Sequence, residues 1–365
     1  MGRLQAAIEG AWERGGWLSV VLAPLGWLYA AVMAARNTAY DLGLLRVHDL
    51  GLPAVSVGNL TVGGSGKTPV SAWLAQRLLA RGERPAILLR GYGADEPLVH
   101  AHLTPDAIVV ADPDRVAGAA RARALGATVL VLDDAFQHRR VRRAVDLVLV
   151  AAEQGMPRRV LPAGPLRERR AGLRRATLAV VTRKAASPEA AAGVASSCER
   201  LAPGVPILQL HLRPEGLVCV GPAGAMTGAT TGATTGATTG ATAATTAGTL
   251  RTESLGTLQG ERVLAVSAIG APESFERQLR GAGAHVTAAA YPDHHAFTPE
   301  DVLAITARAS GAARVVCTLK DAVKLGPLWS PQAPPLWYLS QTVVIERGGE
   351  AVEALLDRLG DGRRS

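Results

Sequence analysis

The chain has few cysteines and few aromatic residues, and both shortages exclude classes of protein. Its three cysteines, Cys198, Cys219 and Cys317, lie far apart and form no CxxC or Cys/His pattern. Neither a structural zinc site nor a disulfide framework is therefore expected, which fits a reducing compartment. Aromatic residues make up 4% of the chain, and none lies between Arg139 and Lys184. This counts against a nucleic-acid track in that span, because single strands stack their bases on aromatic rings.

Acidic residues are scarce in the same span. The chain of 365 residues has a net charge of +8 and 48% hydrophobic residues, enough for the packed cores of about two domains. Between Arg139 and Lys184, thirteen Arg or Lys residues stand against three acids, Asp146, Glu153 and Glu168. Such a span is an ordinary solvated face, or it binds an anionic membrane surface, a phosphorylated substrate or nucleic acid.

The N-terminal region lacks charge over the nineteen residues of Trp17–Ala35, which Arg14 and Arg36 bracket. This length just reaches that of a membrane span, but Pro24 interrupts the run, and its Trp and Tyr residues suit a bilayer interface. A buried core helix and a cleaved signal peptide are the competing interpretations. We expect residues 1–36 to form a membrane-associated helix that lies in the interface or enters it shallowly.

A glycine-rich segment provides the first chemical motif. The apolar run Ala54–Val57 leads into VGNLTVGGSGKTP, and helix-like periodicity follows. A strand, a glycine loop, Lys-Thr and a helix form a P-loop, in which backbone N–H groups and the helix N-terminus bind phosphate oxygens. Thr61 replaces the first glycine of the usual pattern, and a chance glycine-rich turn is the alternative. The predicted nucleotide-binding residues are Thr61, Val62, Gly63, Gly64, Ser65, Gly66, Lys67 and Thr68.

Two adjacent carboxylates follow the apolar run Thr128–Leu132. Asp133 and Asp134 stand where P-loop proteins place the acidic residue that faces Mg²⁺ beside the P-loop threonine. An ordinary turn at the end of a strand is the alternative. We predict a Mg²⁺ site at Thr68, Asp133 and Asp134, with Lys67 reaching the β- and γ-phosphates of a nucleotide.

Strand-like and helix-like segments alternate along the rest of the chain, which predicts an α/β fold. The expected class is that of the P-loop NTPases, with a mostly parallel sheet covered by helices on both faces and a smaller C-terminal α/β domain. We expect the nucleotide-binding domain at residues 37–214 and the smaller domain at residues 215–365. Residues 226–250 form a near-perfect TGAT repeat without large apolar side chains between its ends, which predicts a flexible low-complexity insertion.

Two further pairs of polar residues carry weak signals by themselves. Asp95 and Glu96 follow the predicted strand Arg84–Arg90, at the edge where open α/β sheets build their sites, but an acidic pair in a loop is usually solvated. His294 and His295 are adjacent, so their side chains point in different directions. At most one of these histidines is expected to face a given site.

Several motifs in a fixed order are far more specific than the P-loop alone. They are VGNLTVGGSGKTP, RGYG, DEP, DDAFQH, LPAGPLRE, YPDHHAF and KDAVK. In these motifs the chain resembles the tetraacyldisaccharide 4′-kinase family, the lipid A 4′-kinases of Gram-negative bacteria. The resemblance covers nearly the whole chain except residues 226–250.

The resemblance implies a membrane-associated enzyme with ATP and Mg²⁺ as cofactors. The family transfers the γ-phosphate of ATP to the 4′-hydroxyl of a tetraacylated glucosamine disaccharide 1-phosphate, at the cytoplasmic face of the bacterial inner membrane. Asp95 corresponds to the proposed catalytic base and His294 to its partner, while Asp133 and Asp134 correspond to the metal-site acids. With Lys67 as the third catalytic residue, Arg115, Arg167 and Lys320 are further candidates for neutralising charge.

The implied partners are the acylated disaccharide substrate and an anionic membrane surface, and no nucleic acid is expected. The alternatives are a P-loop ATPase that acts on nucleic acid and another membrane-associated small-molecule kinase. A transporter ATPase would need a signature such as LSGGQ, which is absent. The chain departs from the family at Ala135, usually Gly, at Leu319, usually Glu, and in the single residue, Ala94, that separates GYG from DEP. The shorter loop bears on how Asp95 reaches the acceptor.

Overall fold

The computed structural model describes residue 12 and residues 17–91, 95–220 and 251–361. The predicted insertion at residues 226–250 lies outside the described residues, as do residues 1–11, 13–16 and 92–94. The described strands are β1 (Ala54–Asn59), β2 (Pro85–Leu89), β3 (Ile108–Ala111), β4 (Val129–Asp133), β5 (Val145–Ala151), β6 (Leu178–Arg183), β7 (Ile207–Cys219), β8 (Thr252–Ser254), β9 (Arg262–Ser267), β10 (His285–Ala290), β11 (Arg314–Cys317) and β12 (Leu336–Arg347).

The α-helices alternate with most of these strands. In the described part of the chain they are α1 (Trp17–Val21), α2 (Ala23–Asp41), α3 (Lys67–Ala80), α4 (Asp95–Leu103), α5 (Arg115–Ala124), α6 (Pro188–Leu201), α7 (Pro272–Gly281), α8 (Pro299–Arg308), α9 (Leu319–Leu325) and α10 (Gly349–Asp361).

The described strands form one sheet in the order β10-β9-β11-β12-β7-β6-β5-β1-β4-β2-β3, and β8 pairs with β7 off this path. Neighbouring strands are parallel, except that β7 pairs antiparallel with β12 and with β8. The predicted mostly parallel α/β fold is confirmed. After β1 the chain continues to β2, toward one edge of the sheet, and after β4 it continues to β5, toward the other edge. The carboxyl ends of the neighbouring strands β1 and β4 therefore flank a topological switch point.

The central strands are apolar along their whole length because helices cover both faces of the sheet. Every residue of β1 and β4 is buried. In β4, Val129 and Val131 pack in a core with side chains of α3, whereas Leu130 and Leu132 pack in a second core with side chains of α5. A sheet covered on both faces explains why these strands read as continuous apolar runs and not as alternating patterns.

Strand β7 continues the sheet past residue 214, where the sequence predicts a domain boundary. It pairs with β6 on one side and with β12 on the other. The last helix, α10, returns to the first half of the chain, where Val352 and Leu355 pack in the core that contains β1. Glu353 of the same helix forms ion pairs with Arg77 and Arg81. The division into two domains stays a prediction.

The apolar N-terminal region forms two helices, α1 and α2, separated at Leu22. Pro24 lies in the first turn of α2, where its missing N–H group leaves no helical hydrogen bond unmade. None of the helices in the described ranges combines the length and the apolar composition needed to cross a bilayer.

Helix α2 packs on the segment that follows β5. Its Gly26 approaches so closely that a Cβ there would stand 3.2 Å from the Cβ of Ala163. The Tyr29 hydroxyl donates to the carbonyl oxygen of Arg167 at 2.8 Å, and the Asn37 amide donates to Glu168 at 3.0 Å. The apolar helix therefore lies directly against the LPAGPLRE segment.

Candidate active site

The P-loop connects the end of β1 to the start of α3. Gly63 and Gly66 have φ angles of 104° and 84°, a region that favours glycine. Gly66 is the N-cap of α3 and makes no side-chain cap, so the first N–H groups of the helix can bind phosphate oxygens. Among the described non-glycine residues only Asp134 and His294 have positive φ angles, so Thr61 has an ordinary backbone conformation that does not require glycine.

Ser65 connects the P-loop to the sheet beneath it through two hydrogen bonds. Its side chain is buried, and the Asn59 amide donates to its Oγ at 2.9 Å. The Thr182 hydroxyl, near the end of β6, donates to the carbonyl oxygen of Ser65 at 2.9 Å. Two strands of the sheet, β1 and β6, thus hold the loop through hydrogen bonds of the protein itself.

Two further side chains hold the first half of the loop. Lys184 Nζ donates to the carbonyl oxygen of Gly64 at 3.1 Å. The Thr61 hydroxyl donates to Gln154 Oε1 at 2.9 Å. Lys184, Gln154 and Thr182 are absent from the predicted site residues. Their available signal is position, because each lies at or just beyond the carboxyl end of β5 or β6, beside the loop that follows β1.

Asp133 ends β4, and its carboxylate is held on both oxygens. Oδ1 accepts from the Ser71 hydroxyl at 3.1 Å and from the N–H of Asp134 at 3.0 Å. Oδ2 lies 3.1 Å from Nε2 of the buried His100. Burial acts to raise the pKa of Asp133, but the hydrogen bond and charge of His100, with Lys67 and Ser71, hold it below its ordinary value. The group is therefore an ionised carboxylate at neutral pH.

Asp134 lies on the open side of the same turn, beside the P-loop lysine. Its φ angle is 48°, a conformation that Asp tolerates better than most residues. Its Oδ1 is 3.6 Å from Lys67 Nζ, and both carboxylate oxygens accept from Arg167, at 2.8 and 2.9 Å. The structure thus brings Lys67 and the predicted metal-site acids together. Thr68 is the second residue of α3, immediately after Lys67.

Asp95, His294 and Lys320 form a second cluster, to which both halves of the chain contribute. Asp95 is buried at the first residue of α4. Its Oδ2 is 3.9 Å from His294 Nδ1 and 4.0 Å from Lys320 Nζ, and it has no hydrogen-bond partner in the described ranges. Lys320 Nζ lies 3.1 Å from His294 Nε2 and 3.7 Å from Asp293. A buried, unpartnered carboxylate oxygen beside a histidine can accept a proton from a substrate hydroxyl.

Glu96 lies within electrostatic range of both clusters. Burial raises the pKa of Glu96, and the negative charges of Asp133 and Asp95 act in the same direction, while Lys320 and His294 oppose them. The loop at Gly270 connects the clusters from the other side. A Cβ on Gly270 would stand 3.3 Å from Asp293 Oδ2 and 3.9 Å from Gly63 Cα.

Of the remaining predicted residues, some lie in the site and others support the strands and loops around it. Arg115 is buried and donates to the carbonyl oxygen of Asp133 at 2.9 Å, so it supports the strand end. Arg167 binds Asp134, as described above, and Lys320 lies beside Asp95. The two adjacent histidines do point in different directions: His295 Nε2 contacts Asp301 Oδ2 at 2.8 Å, away from His294.

The donor set fits an ion that shares its ligands with a nucleotide. No group of three or more His, Cys, Asp or Glu side chains in the described ranges stands close enough to hold a metal by itself. Mg²⁺ typically binds one or two carboxylates, with phosphate oxygens and water as its other ligands. The ionised Asp133, together with Asp134 and Thr68 beside the P-loop, matches that requirement.

The glycine loop after β1 is fixed by hydrogen bonds and lies at the topological switch point of the sheet, and Lys67 lies beside Asp133 and Asp134. These features define the chain as a P-loop nucleotide-binding protein. A family model described as Tetraacyldisaccharide-1-P 4′-kinase matches residues 18–95 and 94–360. A tetraacyldisaccharide 4′-kinase of Anaeromyxobacter sp. (strain Fw109-5) is 38% identical over 340 residues, covering 85% of this chain and 84% of the relative. The chain belongs to the tetraacyldisaccharide 4′-kinase family.

Two further relatives extend the match to almost the full length. A tetraacyldisaccharide 4′-kinase of Thiobacillus denitrificans is 32% identical over 372 residues and covers 96% of this chain and 98% of the relative. A crystal structure described as the "apo" form of LpxK from Aquifex aeolicus in complex with ATP has a TM-score of 0.67 and 28% identity. The match covers 94% of this chain and 99% of that one. The resemblance predicted from the motifs is confirmed.

Proposed function

We propose that this protein transfers the γ-phosphate of ATP to the 4′-hydroxyl of a tetraacyldisaccharide 1-phosphate. One observation carries the proposal in particular. Asp95 and His294, from opposite halves of the chain, lie 3.9 Å apart in the same site as a preorganised P-loop. A P-loop alone would serve hydrolysis or transfer equally well, whereas a base beside it suits an acceptor hydroxyl.

ATP would bind through residues 61–68. The loop N–H groups and the start of α3 would hold the phosphate oxygens, and Lys67 would exchange its contact with Asp134 for the β- and γ-phosphates. Arg167, which shares Asp134 with Lys67, lies close enough to take part in neutralising the triphosphate. The P-loop is also held by hydrogen bonds from Asn59, Thr182 and Lys184, which do not involve its N–H groups. The loop would therefore need little reorganisation when ATP binds.

Mg²⁺ would be held by Thr68, Asp133 and Asp134 together with the phosphates. When bound, the ion would neutralise charge on the transferring phosphate. Asp133 is ionised and fixed by its neighbours, which makes it ready to bind a cation. Asp134 is already paired with Lys67 and Arg167, so it becomes available when these cations turn toward the phosphates.

Asp95 would act as the general base. As the 4′-oxygen forms its bond to the γ-phosphorus, the bond between that phosphorus and the β–γ bridging oxygen breaks and ADP leaves. The hydroxyl proton passes to Asp95, and His294 orients the carboxylate and shares the proton. Lys320 lies within 4.0 Å of Asp95 and 3.1 Å of His294, where its charge holds the pair in place.

Helix α2 would hold the site at a membrane. Exposed apolar side chains lie on α1, on α2 and just beyond the end of α2: Val20, Val21, Leu25, Trp27, Leu28, Val32, Leu42 and Leu44. Exposed arginines flank the loop under this helix, at Arg158, Arg159 and Arg169. An apolar patch with a cationic border suits the anionic cytoplasmic face of the bacterial inner membrane, where the acyl chains of the substrate stay in the bilayer.

Replacing Trp27 and Leu28 together with glutamate is expected to weaken binding to anionic vesicles by about tenfold or more. Each side chain of this size contributes about 1.5–3 kcal/mol when it is buried in an apolar phase. The measurement is co-sedimentation of the full chain with phosphatidylglycerol-containing vesicles. Leu303→Glu is the matched control, because Leu303 is 71% exposed, like Trp27 at 72%, but lies on α8. Equal loss in both variants would remove α2 as the docking element.

The function itself is tested by an acceptor panel. Purified protein in detergent, with labelled ATP, should transfer label to a tetraacyldisaccharide 1-phosphate and not to glucosamine, nucleosides or DNA. Label on DNA or a nucleoside would refute the proposal. Release of inorganic phosphate without any labelled acceptor would indicate an ATPase instead.

A further inference from the structure

His100 makes a single side-chain hydrogen bond in the described ranges, and that bond is to Asp133. The ring is completely buried on α4, and Nε2 lies 3.1 Å from Asp133 Oδ2. A carboxylate is ordinarily ionised at neutral pH and can only accept, so Nε2 is assigned as the donor in this contact. The other ring nitrogen, Nδ1, is buried without a hydrogen-bond partner among the described residues. Asp133 is therefore the one hydrogen-bond partner of the His100 ring among the described residues.

The hydrogen bonds to Asp133 occupy most of the acceptor positions of its carboxylate. A carboxylate offers about four acceptor positions. Two on Oδ1 are occupied by Ser71 and the N–H of Asp134, and one on Oδ2 is occupied by His100. The position that remains is on Oδ2, and the contact with His100 decides which side of that oxygen stays open.

We propose that His100 is a positioning residue for the cation site: it fixes the one open oxygen of Asp133 toward the ion that accompanies the nucleotide. This inference rests on the Mg²⁺ site proposed above. Partners that orient a metal ligand from behind commonly contribute 10–100-fold to metal affinity, although they never touch the ion.

The position of His100 on α4 adds a consequence. Asp95 begins the same helix, five residues earlier. The bond from His100 to Asp133 therefore ties the helix that carries the proposed base to the strand that carries the proposed metal ligand. The same side chain keeps the acceptor side and the nucleotide side of the site in register.

The test measures metal binding without turnover. Mn²⁺, a paramagnetic substitute for Mg²⁺, is titrated into the full chain saturated with ADP, and the free ion is followed by electron paramagnetic resonance. His100→Leu should weaken Mn²⁺ binding by about 10–100-fold, while ADP affinity in the absence of metal stays unchanged. His100→Gln should restore most of the affinity, because its amide N–H stands the same number of bonds from Cβ as Nε2.

One control variant and one replacement variant separate a positioning role of His100 from general damage to the fold. His102, two residues further along α4, is half-buried, and its Nε2 lies 2.8 Å from the Tyr338 hydroxyl and makes no hydrogen bond to Asp133. His102→Leu should keep wild-type Mn²⁺ affinity. If His100→Leu does not fold, His100→Asn replaces it, since its amide is too short to reach Asp133 and should also lower Mn²⁺ affinity.

Each failure has its own signature. Wild-type protein that binds no Mn²⁺ with ADP would refute the proposed cation site itself. Wild-type binding together with equal binding by His100→Leu, or by the Asn variant in its place, would refute the role of His100. An equal loss in His102→Leu would show that the effect comes from disturbance of α4, which also overturns the inference.

Discussion

Replacing Lys67 with alanine is expected to lower phosphate transfer by about 10²–10³-fold or more. Lys67 is the first residue of α3, and its ammonium group lies 3.6 Å from Asp134. No other lysine in the described ranges forms an ion pair with Asp133 or Asp134 that could replace it. The measurement is the initial rate of label transfer from ATP at saturating lipid.

The fold should survive this change. Asp134 keeps its two contacts with Arg167 when Lys67 is removed, so no carboxylate is left unpaired. Arg81→Ala is the matched control, because it removes an ion-paired cation at the opposite end of α3. A variant that melts like wild type and loses transfer supports the site. Full transfer by Lys67→Ala would show that the triphosphate is held elsewhere.

Replacing Asp95 with asparagine is expected to lower kcat by about 10²–10⁴-fold, the range of general-base catalysis. The KM values for ATP and for the lipid should change little, because the P-loop and the membrane-facing helix are untouched. Asn has nearly the same shape, so the loss would come from the missing base. Steady-state kinetics with each substrate varied in turn separates the two effects.

Asp293→Asn is the matched comparison for Asp95. Both carboxylates lie within 4.0 Å of Lys320 and of His294, but Asp293 also accepts from the N–H of His294, whereas the inner oxygen of Asp95 is buried and unpartnered. The fall in kcat should therefore be much smaller for Asp293→Asn. Wild-type kcat in Asp95→Asn, or an equal loss in both variants, would contradict the assignment of the base.

The P-loop half of the site was predictable from the sequence because its physics is local. An apolar strand, a glycine loop and a helix adjoin in the chain, and the apolar run before Asp133 marks a strand covered on both faces. Parallel strands place their carboxyl ends at one edge of the sheet, so Lys67 was expected beside Asp133 and Asp134. The 3.6 Å contact between Lys67 and Asp134 agrees with that expectation.

The contacts that cross the chain were not predictable in this way. His100 reaches Asp133 across 33 residues, and His102 reaches Tyr338 across 236 residues. Neither pair leaves a periodic or local pattern, because their proximity depends on how α4 packs against the sheet and α9. For the same reason the sequence by itself leaves open whether Asp95 is a solvated loop residue or part of a site, whereas in the structure it is buried at the start of a helix. Its pairing with His294 was available only through the resemblance to the family.

The central claim is that the terminal phosphate of ATP passes to one particular sugar oxygen. Phosphorus NMR of the product, formed from ATP and tetraacyldisaccharide 1-phosphate by the full chain in mixed micelles, tests this directly. A second phosphate monoester, with coupling to the proton on carbon 4′, is the predicted result. A new phosphate on any other carbon, a pyrophosphate at position 1, or inorganic phosphate alone would contradict the account.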